Sequence, residues 1–327
     1  MADRFSIALP LAHETWFTDG NGSIDWSFLI EGTTFALLAV ALALTLAVRV
    51  LNRHRDGVDI GWLAAMAPYM PFAVRLHVAV SLIGLLSLGV YLSPAMDLEA
   101  DFAGISLGAV MVIAALGLAT GYRARAAAWL LIAAGPIGML EFGVAPVLQR
   151  IDLLGLAVFV VIIGPGRWSA DFERGAVRDR FERQGMLAAP DLQTMARAVL
   201  ALRVAAGAAL IIVALYEKLI NPQLALDFLR EHPDLQLAHQ VGLPLSDLEF
   251  ARFAGSVEVL FGLLLISGAQ PQAIVLIAGI PFNATLWFFG VDELVGHLPI
   301  YGAMLVLLVW GSHPQLRPTT YAWGRGP

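Results

Sequence analysis

The residues best suited to chemistry lie inside apolar segments of the second half of the chain. Each ionisable group in such a segment costs at least ~2.5–3.5 kcal/mol on membrane-insertion scales, so it needs a partner or a water-filled cavity. Arg203 and Glu217 are 14 residues apart, which is about 40° from eclipsed on an α-helix, so both can face the same interior. The candidate ligand-binding residues are Arg203, Glu217, Lys218, Glu258, Asn283 and His297.

Three of these candidates are suited to acid–base chemistry. Lys218, Glu258 and His297 are predicted at one level, in the outer half of the second helix bundle. Lys218 and His297 could donate hydrogen bonds to an anionic or quinone-like ligand, and Glu258 could accept a proton, because acid–base pairs in a low dielectric have tunable pKa values. These three are therefore the catalytic candidates. The alternative is a structural ion pair of Glu258 with Lys218 or Arg203, which would lock two helices together.

The composition of the chain predicts an all-α integral membrane protein. Of its 327 residues, 58% are hydrophobic and 14% are charged, whereas soluble domains carry about 25% charged residues. About nine segments are apolar enough to cross a hydrocarbon core of roughly 30 Å. We predict spans over residues 28–50, 68–92, 104–121, 126–145, 151–165, 195–220, 252–269, 272–290 and 297–312, of which the fifth and ninth are short.

The distribution of arginine predicts the orientation. Arginines follow the first span, separate the third span from the fourth, and fill the charged linker 166–192, whereas the other loops are acidic or neutral. Loops rich in Lys and Arg lie in the cytoplasm. We therefore predict a protein of the bacterial inner membrane, with its N-terminus outside and its C-terminus in the cytoplasm.

An internal repeat predicts the domain organisation. Residues 108–164 align without a gap with 255–311, a shift of 147, and Arg75 aligns with Arg203 at a shift of 128. Each copy has four predicted spans, an even number, so two parallel four-helix bundle repeats should be related by an axis along the membrane normal. The predicted segments are an outer leader with the N-terminal span (1–60), a degenerate first repeat (61–165), the linker 166–192, a second repeat (193–315) and a cytoplasmic tail (316–327).

The first copy lacks most of the polar set of the second. Arg203, Glu217 and Lys218 align with Arg75, Gly89 and Val90. Glu258, Asn283 and His297 align with Met111, Pro136 and Arg150. Only the arginine is duplicated, and for both arginines a structural role in binding backbone carbonyls is favoured. Because the first copy keeps its packing glycines, helix packing alone does not require the other polar residues. This favours a functional site over an ion pair.

Several classes of site and partner are disfavoured. The chain has no cysteine, which excludes disulfides, thiolate zinc and iron–sulfur ligation. His77 and His297 are predicted at different depths, so they cannot ligate one haem. His13 and Glu14 could hold a metal ion with His232 or His239, but the signal is weak and no metal is predicted. A modest net charge of −6 argues against binding to nucleic acid.

The second copy resembles the DoxX family of four-helix membrane proteins over about residues 195–312, and the first copy shows a degenerate form of the same pattern over 68–165. The resemblance rests on glycine-spaced apolar patterns with a few charges: Arg203 and Gly207, Glu217-Lys218-Leu219, Ala254-Gly255-Ser256-Val257-Glu258-Val259-Leu260, Gly262-Leu263-Leu264-Leu265, Gly268 and His297. It implies a four-helix bundle, here doubled. It also implies a quinone-facing or accessory role, since related proteins include a subunit of archaeal thiosulfate:quinone oxidoreductase and membrane partners of redox enzymes.

The resulting expectation is a quinone- or small-molecule-binding component of a redox process in the lipid bilayer. Quinone is the one candidate cofactor, a membrane or periplasmic redox protein is the candidate partner, and any enzymatic role would be that of a subunit of a quinone-linked oxidoreductase. The alternatives are a transporter of a small anion and a structural assembly partner. A water-filled path past Arg203 would favour transport, whereas an apolar pocket open to lipid would favour quinone.

Overall fold

The structure, a computed structural model, describes residues 24–52, 57–173, 191–240 and 242–321. Within these ranges the chain forms helices without a named strand. The long helices are α1 (Gly32–Leu51), α2 (Met70–Ser87), α3 (Phe102–Thr120), α4 (Ala124–Phe142), α5 (Ile151–Ile163), α6 (Leu192–Ala214), α7 (Asp247–Ser267), α8 (Pro271–Phe289) and α9 (Val291–Gly311). His13, Glu14 and residues 174–190 of the predicted linker lie outside the described residues.

The apolar helices agree with an integral membrane protein. Among the described residues, seven helices are long and apolar enough to cross a membrane. Two further helices have described apolar stretches of fewer than 18 residues, Pro271–Leu286 in α8 and Ile151–Ile163, which is α5. At 1.5 Å per residue, the 13 residues of α5 span about 20 Å. The prediction of an all-α membrane protein is confirmed, and the count of nine spans stays a prediction.

Local sequence signals set the helix boundaries. The Asp101 carboxylate accepts a hydrogen bond from the backbone N–H of Gly104 at the start of α3, and Asp191 caps α6 in the same way through Thr194. Such caps satisfy N–H groups that have no partner within the helix. Gly121 and Gly268 end α3 and α7 with φ of 67° and 68°, a conformation that glycine adopts without strain.

The long helices pack as two quartets. In the first quartet, α2 packs on α3, α3 on α4, α4 on α5, and α5 returns to α2. In the second quartet, α6 packs on α7, α7 on α8, α8 on α9, and α9 returns to α6. The quartets meet where α5 packs on α6 and where α9 packs on α2, and α1 lies against α7. The helix order is therefore the same in both quartets.

Glycines bring the two quartets close together. A Cβ atom on Gly155 of α5 would clash with the Cβ atom of Ala205 on α6, and a Cβ atom on Gly302 of α9 would lie 3.2 Å from Cβ of His77 on α2. Small residues allow helices to approach closely in membranes. At the predicted register Gly155 aligns with Gly302 and Ala205 with His77, so the two contacts occupy equivalent positions.

Arg75 has the structural role that the sequence analysis favoured. Its side chain is fully buried in the first quartet. Nε donates to the carbonyl of Pro165 at 2.9 Å, Nη1 to Leu118 at 2.5 Å and Nη2 to Trp168 at 2.8 Å. The guanidinium thus holds the end of α3 and the segment after α5 together.

Candidate functional site

Two of the predicted residues lie in a π-helical turn. The turn Leu215–Leu219 extends α6 and contains Glu217, which is fully buried, and Lys218. It lies at the end of the molecule that carries Asp101 and the segments 221–240 and 242–246, here called the acidic end. The opposite end, which carries Arg49, Arg123 and Arg317, is the basic end. Single π-helical turns are rare and occur frequently at functional sites.

Lys218 forms an ion pair with Glu258. Lys218 Nζ lies 3.3 Å from Glu258 Oε1, and the two side chains are 11% and 36% exposed. The pair joins the π-helical turn to α7. Gly255 makes the approach possible, because a Cβ atom there would lie 2.9 Å from Leu219 Cδ2 and 3.1 Å from Lys218 Cβ. The ion pair considered as the alternative to a functional site is therefore present, and it uses Lys218.

His297 lies near the start of α9, where the two quartets meet. Its ring packs edge-on against Phe282, with centroids 4.7 Å apart, and lies 6.0 Å from the Tyr301 ring. Arg150, the aligned residue of the first copy, donates a hydrogen bond to the neighbouring Gly296 carbonyl at 3.0 Å. The imidazole is thus buried among aromatic rings of α8 and α9.

Arg203 lies away from these groups, at the basic end. Its side chain is fully buried and donates a hydrogen bond to the carbonyl of Thr320. The 14 residues between Arg203 and Glu217 correspond to about 21 Å along a helix. The predicted residues therefore lie in three places: Arg203 at the basic end, Glu217, Lys218 and Glu258 on α6 and α7, and Asn283 and His297 on α8 and α9.

An apolar groove lies between α2, α8 and α9. Its volume is about 530 Å³, and it opens to the side of the helix bundle. The apolar lining consists of Val275, Leu276, Gly279, Ile280, Met304, Leu305 and Leu308, and the polar lining of His77, Asn283 and Tyr301. Mostly apolar clefts of about 300–1,000 Å³ with a few polar groups are typical of small-molecule sites.

The polar groups of the groove are oriented by backbone carbonyls. His77 Nδ1 lies 2.7 Å from the Ala73 carbonyl. A carbonyl can only accept, so in this contact Nδ1 carries the proton, and Nε2 of a neutral ring is an acceptor. Asn283 Nδ2 donates to the Gly279 carbonyl at 2.6 Å, and the Tyr301 hydroxyl donates to Phe282 at 2.9 Å. The described contacts of Asn283 use its amide nitrogen, so its side-chain oxygen is available to a ligand.

The polar set of the groove is present at one of the two equivalent contacts between the quartets. The residues aligned with His77, Asn283 and Tyr301 are Ala205, Pro136 and Leu154. The same helix contact is therefore built with apolar side chains on the other side of the molecule. A polar side chain that faces lipid is costly, so the three polar residues call for an explanation other than packing.

Two of the groove residues were not predicted as site residues. His77 and Tyr301 lie in different copies of the repeat, and the packing of α2 on α9 brings them together. A useful signal was present, because His77 and Tyr301 are polar residues within apolar segments and their aligned residues are apolar. Among the described residues, no group of three or more His, Asp or Glu side chains could hold a metal ion.

Comparisons of the chain with protein-family models, with curated proteins and with solved structures found no match.

Proposed function

We propose that this membrane protein binds a lipid-soluble molecule of the quinone class in the groove between α2, α8 and α9. One observation carries the proposal: a groove open to the side of the bundle combines apolar walls with His77, Asn283 and Tyr301. A ligand that enters from the bilayer has to be apolar. A ligand held by these polar groups has to offer hydrogen-bonding groups, and the two oxygens of a quinone ring meet this requirement.

The polar groups fit both redox forms of such a ring. Nε2 of a neutral His77 accepts a hydrogen bond from a quinol hydroxyl, and a protonated ring donates one to a quinone carbonyl. The Asn283 amide adds a group that can accept from a hydroxyl or donate to a carbonyl. Leu276, Ile280 and Leu308 supply apolar walls for the ring and for the start of its tail.

The role in a redox process is that of a binding component. Reduction of a quinone to a quinol takes up two electrons and two protons, and the electrons have to come from another protein, because this chain has no cysteine for a dithiol relay. The proposal is therefore a quinone-binding membrane subunit or partner of an oxidoreductase in the bacterial inner membrane. Lys218, Glu258 and His297 remain candidates for proton transfer in it.

The proposed architecture is a doubled, DoxX-like bundle with nine spans and an N-terminal helix. Its support is the identical packing order of the two quartets and the equivalent contacts of Gly155 and Gly302. Positive residues at the basic end support a cytoplasmic position for that end.

The test measures bound quinone in the purified full-length protein. Extraction and mass spectrometry should find quinone in the unmodified protein. The double variant His77→Ala with Asn283→Leu should retain at least tenfold less, because both polar contacts of the ring are removed. Tyr122→Phe is the matched control, since Tyr122 lies outside the groove, and it should retain quinone fully.

Two results would contradict the proposal. Equal quinone content in the double variant and the unmodified protein would place the ligand elsewhere. If a thermal unfolding measurement shows that the protein is folded, yet it binds no added short-chain quinone, the alternative role of a structural assembly partner is favoured.

A further inference from the structure

The polar and apolar parts of the groove between α2, α8 and α9 lie at different depths in the bundle. His77 faces Gly302 near the middle of α9, where a Cβ atom on Gly302 would lie 3.2 Å from Cβ of His77. The hydroxyl of the adjacent Tyr301 donates to the carbonyl of Phe282, which places Asn283 close to the same level. The three polar residues therefore share one end of the groove, in the middle of the bundle.

The apolar walls continue from that level toward the basic end. Along α9, Leu305 and Leu308 follow Tyr301, and Leu308 lies about 10 Å further on at 1.5 Å per residue. Along α8, which runs in the opposite direction, Leu276 precedes Asn283 by a similar distance of about 10 Å. A molecule that fills the groove thus meets polar groups at its mid-bundle end and aliphatic side chains at its basic end.

Side-chain contacts join α8 to α9 beyond both ends of the groove. Beyond the basic end, Nε2 of Gln272 donates a hydrogen bond to Oγ of Ser312 at 2.9 Å, and both residues are buried. Beyond the polar end, the ring of Phe282 packs edge-on against that of His297, with centroids 4.7 Å apart. The groove opens at its side, so a ligand that is longer than the groove leaves it sideways into the lipid.

This order of polar and apolar parts discriminates between classes of lipid. A phospholipid that entered from the basic end would place its charged group against Leu276 and Leu308, where burial without a hydrogen-bond partner is costly. A quinone with a hydrocarbon tail has the reverse fit, since its ring can reach the polar residues in the middle of the bundle. Its tail then covers the aliphatic walls.

We propose that the groove selects quinones by their tails. The ring lies with His77 and Asn283 in the middle of the bundle, and the first part of the tail lies against Leu276 and Leu308 before it enters the leaflet on the basic side. These two leucines are therefore the residues that determine specificity for tailed ligands. This inference rests on the proposed binding of a quinone in the groove, to which it adds the orientation of the ligand and the basis of its selection.

The experiment compares two probes on the purified full-length protein: a dimethoxy-methyl-benzoquinone without a tail, and the same ring with a decyl tail. All affinities are measured at one detergent concentration, so that partitioning into micelles is the same for every variant. Leu276→Ala with Leu308→Ala should weaken binding of the decyl probe at least fivefold more than binding of the tailless probe, because apolar contact area along the tail is lost. An equal loss for both probes would overturn the proposal.

Two further variants serve as controls for this comparison. His77→Ala with Asn283→Leu should weaken binding of both probes to a similar extent, because it removes contacts to the ring that the probes share. Leu116→Ala with Leu140→Ala changes two exposed leucines that lie outside the groove. This matched variant should change the affinity for neither probe.

A photoreactive probe tests the orientation without any substitution, so the proposal stays testable even if the leucine variant fails to fold. The probe is the same benzoquinone with a diazirine on the first carbons of its tail, and the labelled residues are mapped by mass spectrometry after irradiation. Labels should fall within 275–276 on α8 and 305–308 on α9. Labels at Phe282 and His297 instead would place the tail at the opposite end and overturn the proposal.

Failure of this inference can be distinguished from failure of the proposed function. If neither probe binds the folded protein, the proposed function is wrong and this inference fails with it. If both probes bind and both depend on His77 and Asn283, but the leucine variant affects them equally, the quinone site stands. Only the selection by the tail is then rejected.

Discussion

The ammonium group of Lys218 lies 3.3 Å from the carboxylate of Glu258, and this contact joins the π-helical turn after α6 to α7. At the predicted register the first copy has Val90 and Met111 at these positions. The ion pair is therefore a feature of the second quartet alone.

Glu258→Gln should separate a structural role of this pair from a functional one. If the carboxylate serves as the counter-charge of Lys218, its neutralisation should cost up to about 3–5 kcal/mol, and the thermal unfolding midpoint should fall. If Glu258 is an acid–base group, the variant should stay folded and lose activity or ligand. Unfolding midpoint and bound ligand are measured on the same sample.

The double variant Glu258→Met with Lys218→Val is the control, since it copies the residues of the first copy. It should be stable under either role. A destabilised Glu258→Gln that is rescued in the double variant, with ligand content unchanged throughout, would leave only the ion pair.

Bulky substitutions of two packing glycines should test the predicted repeat. Gly155→Leu and Gly302→Leu should both lower the thermal unfolding midpoint, because a Cβ atom on Gly155 would clash with Cβ of Ala205 and one on Gly302 would lie 3.2 Å from Cβ of His77. Overpacking of this kind typically costs about 1–3 kcal/mol. Gly135→Leu is the matched control and should leave the midpoint unchanged, because a Cβ atom there would meet no atom within 4 Å. Loss of stability in one of the two variants without the other would argue against two equivalent interfaces.

Single cysteines should test the predicted orientation. Asp234→Cys at the acidic end and Arg167→Cys at the basic end are both exposed positions. An impermeant thiol reagent added to whole cells should label Asp234→Cys only, and Arg167→Cys should react after the membrane is opened. The reverse pattern would invert the topology.

Replacement of Arg75 should destabilise the first quartet. Arg75→Leu strands the carbonyls of Pro165, Leu118 and Trp168, at about 1–3 kcal/mol for each buried unsatisfied group. Arg75→Lys retains a charge but not the planar fork, so its unfolding midpoint should lie between those of Arg75→Leu and the unmodified protein. An Arg75→Leu variant as stable as the unmodified protein would contradict the structural role.

Helix positions could be predicted from the sequence because long apolar segments and their caps are local signals. The start of α5 at Ile151 agrees with the predicted fifth span 151–165, whereas the short helix Val144–Gln149 before it was not predicted. The pairing of Lys218 with an acidic residue could be predicted from its position in an apolar segment, because a charge inside a membrane needs a partner.

The grouping of polar residues from different helices could not be predicted, because helical periodicity shows which residues share a face but not which helices touch. Arg203 lies in the middle of α6 and Glu217 in the π-helical turn that follows it, so the two are about 21 Å apart along the helix axis. His77 and Tyr301 are far apart in sequence and meet through the packing of α2 on α9. Such contacts depend on how the two quartets dock, and the sequence carries no local signal for that docking.

The packing of α1 on α7 has a consequence for the synthesis of the protein. Arg252 on α7 pairs with Glu31 at the start of α1, 221 residues earlier in the chain. Since α1 leaves the ribosome before α7, it is synthesised before this packing partner exists. Its sequence suits an apolar environment in the meantime, because α1 has no charged residue before Arg49. Synthesis of α7 is therefore the step at which Glu31 gains its partner Arg252.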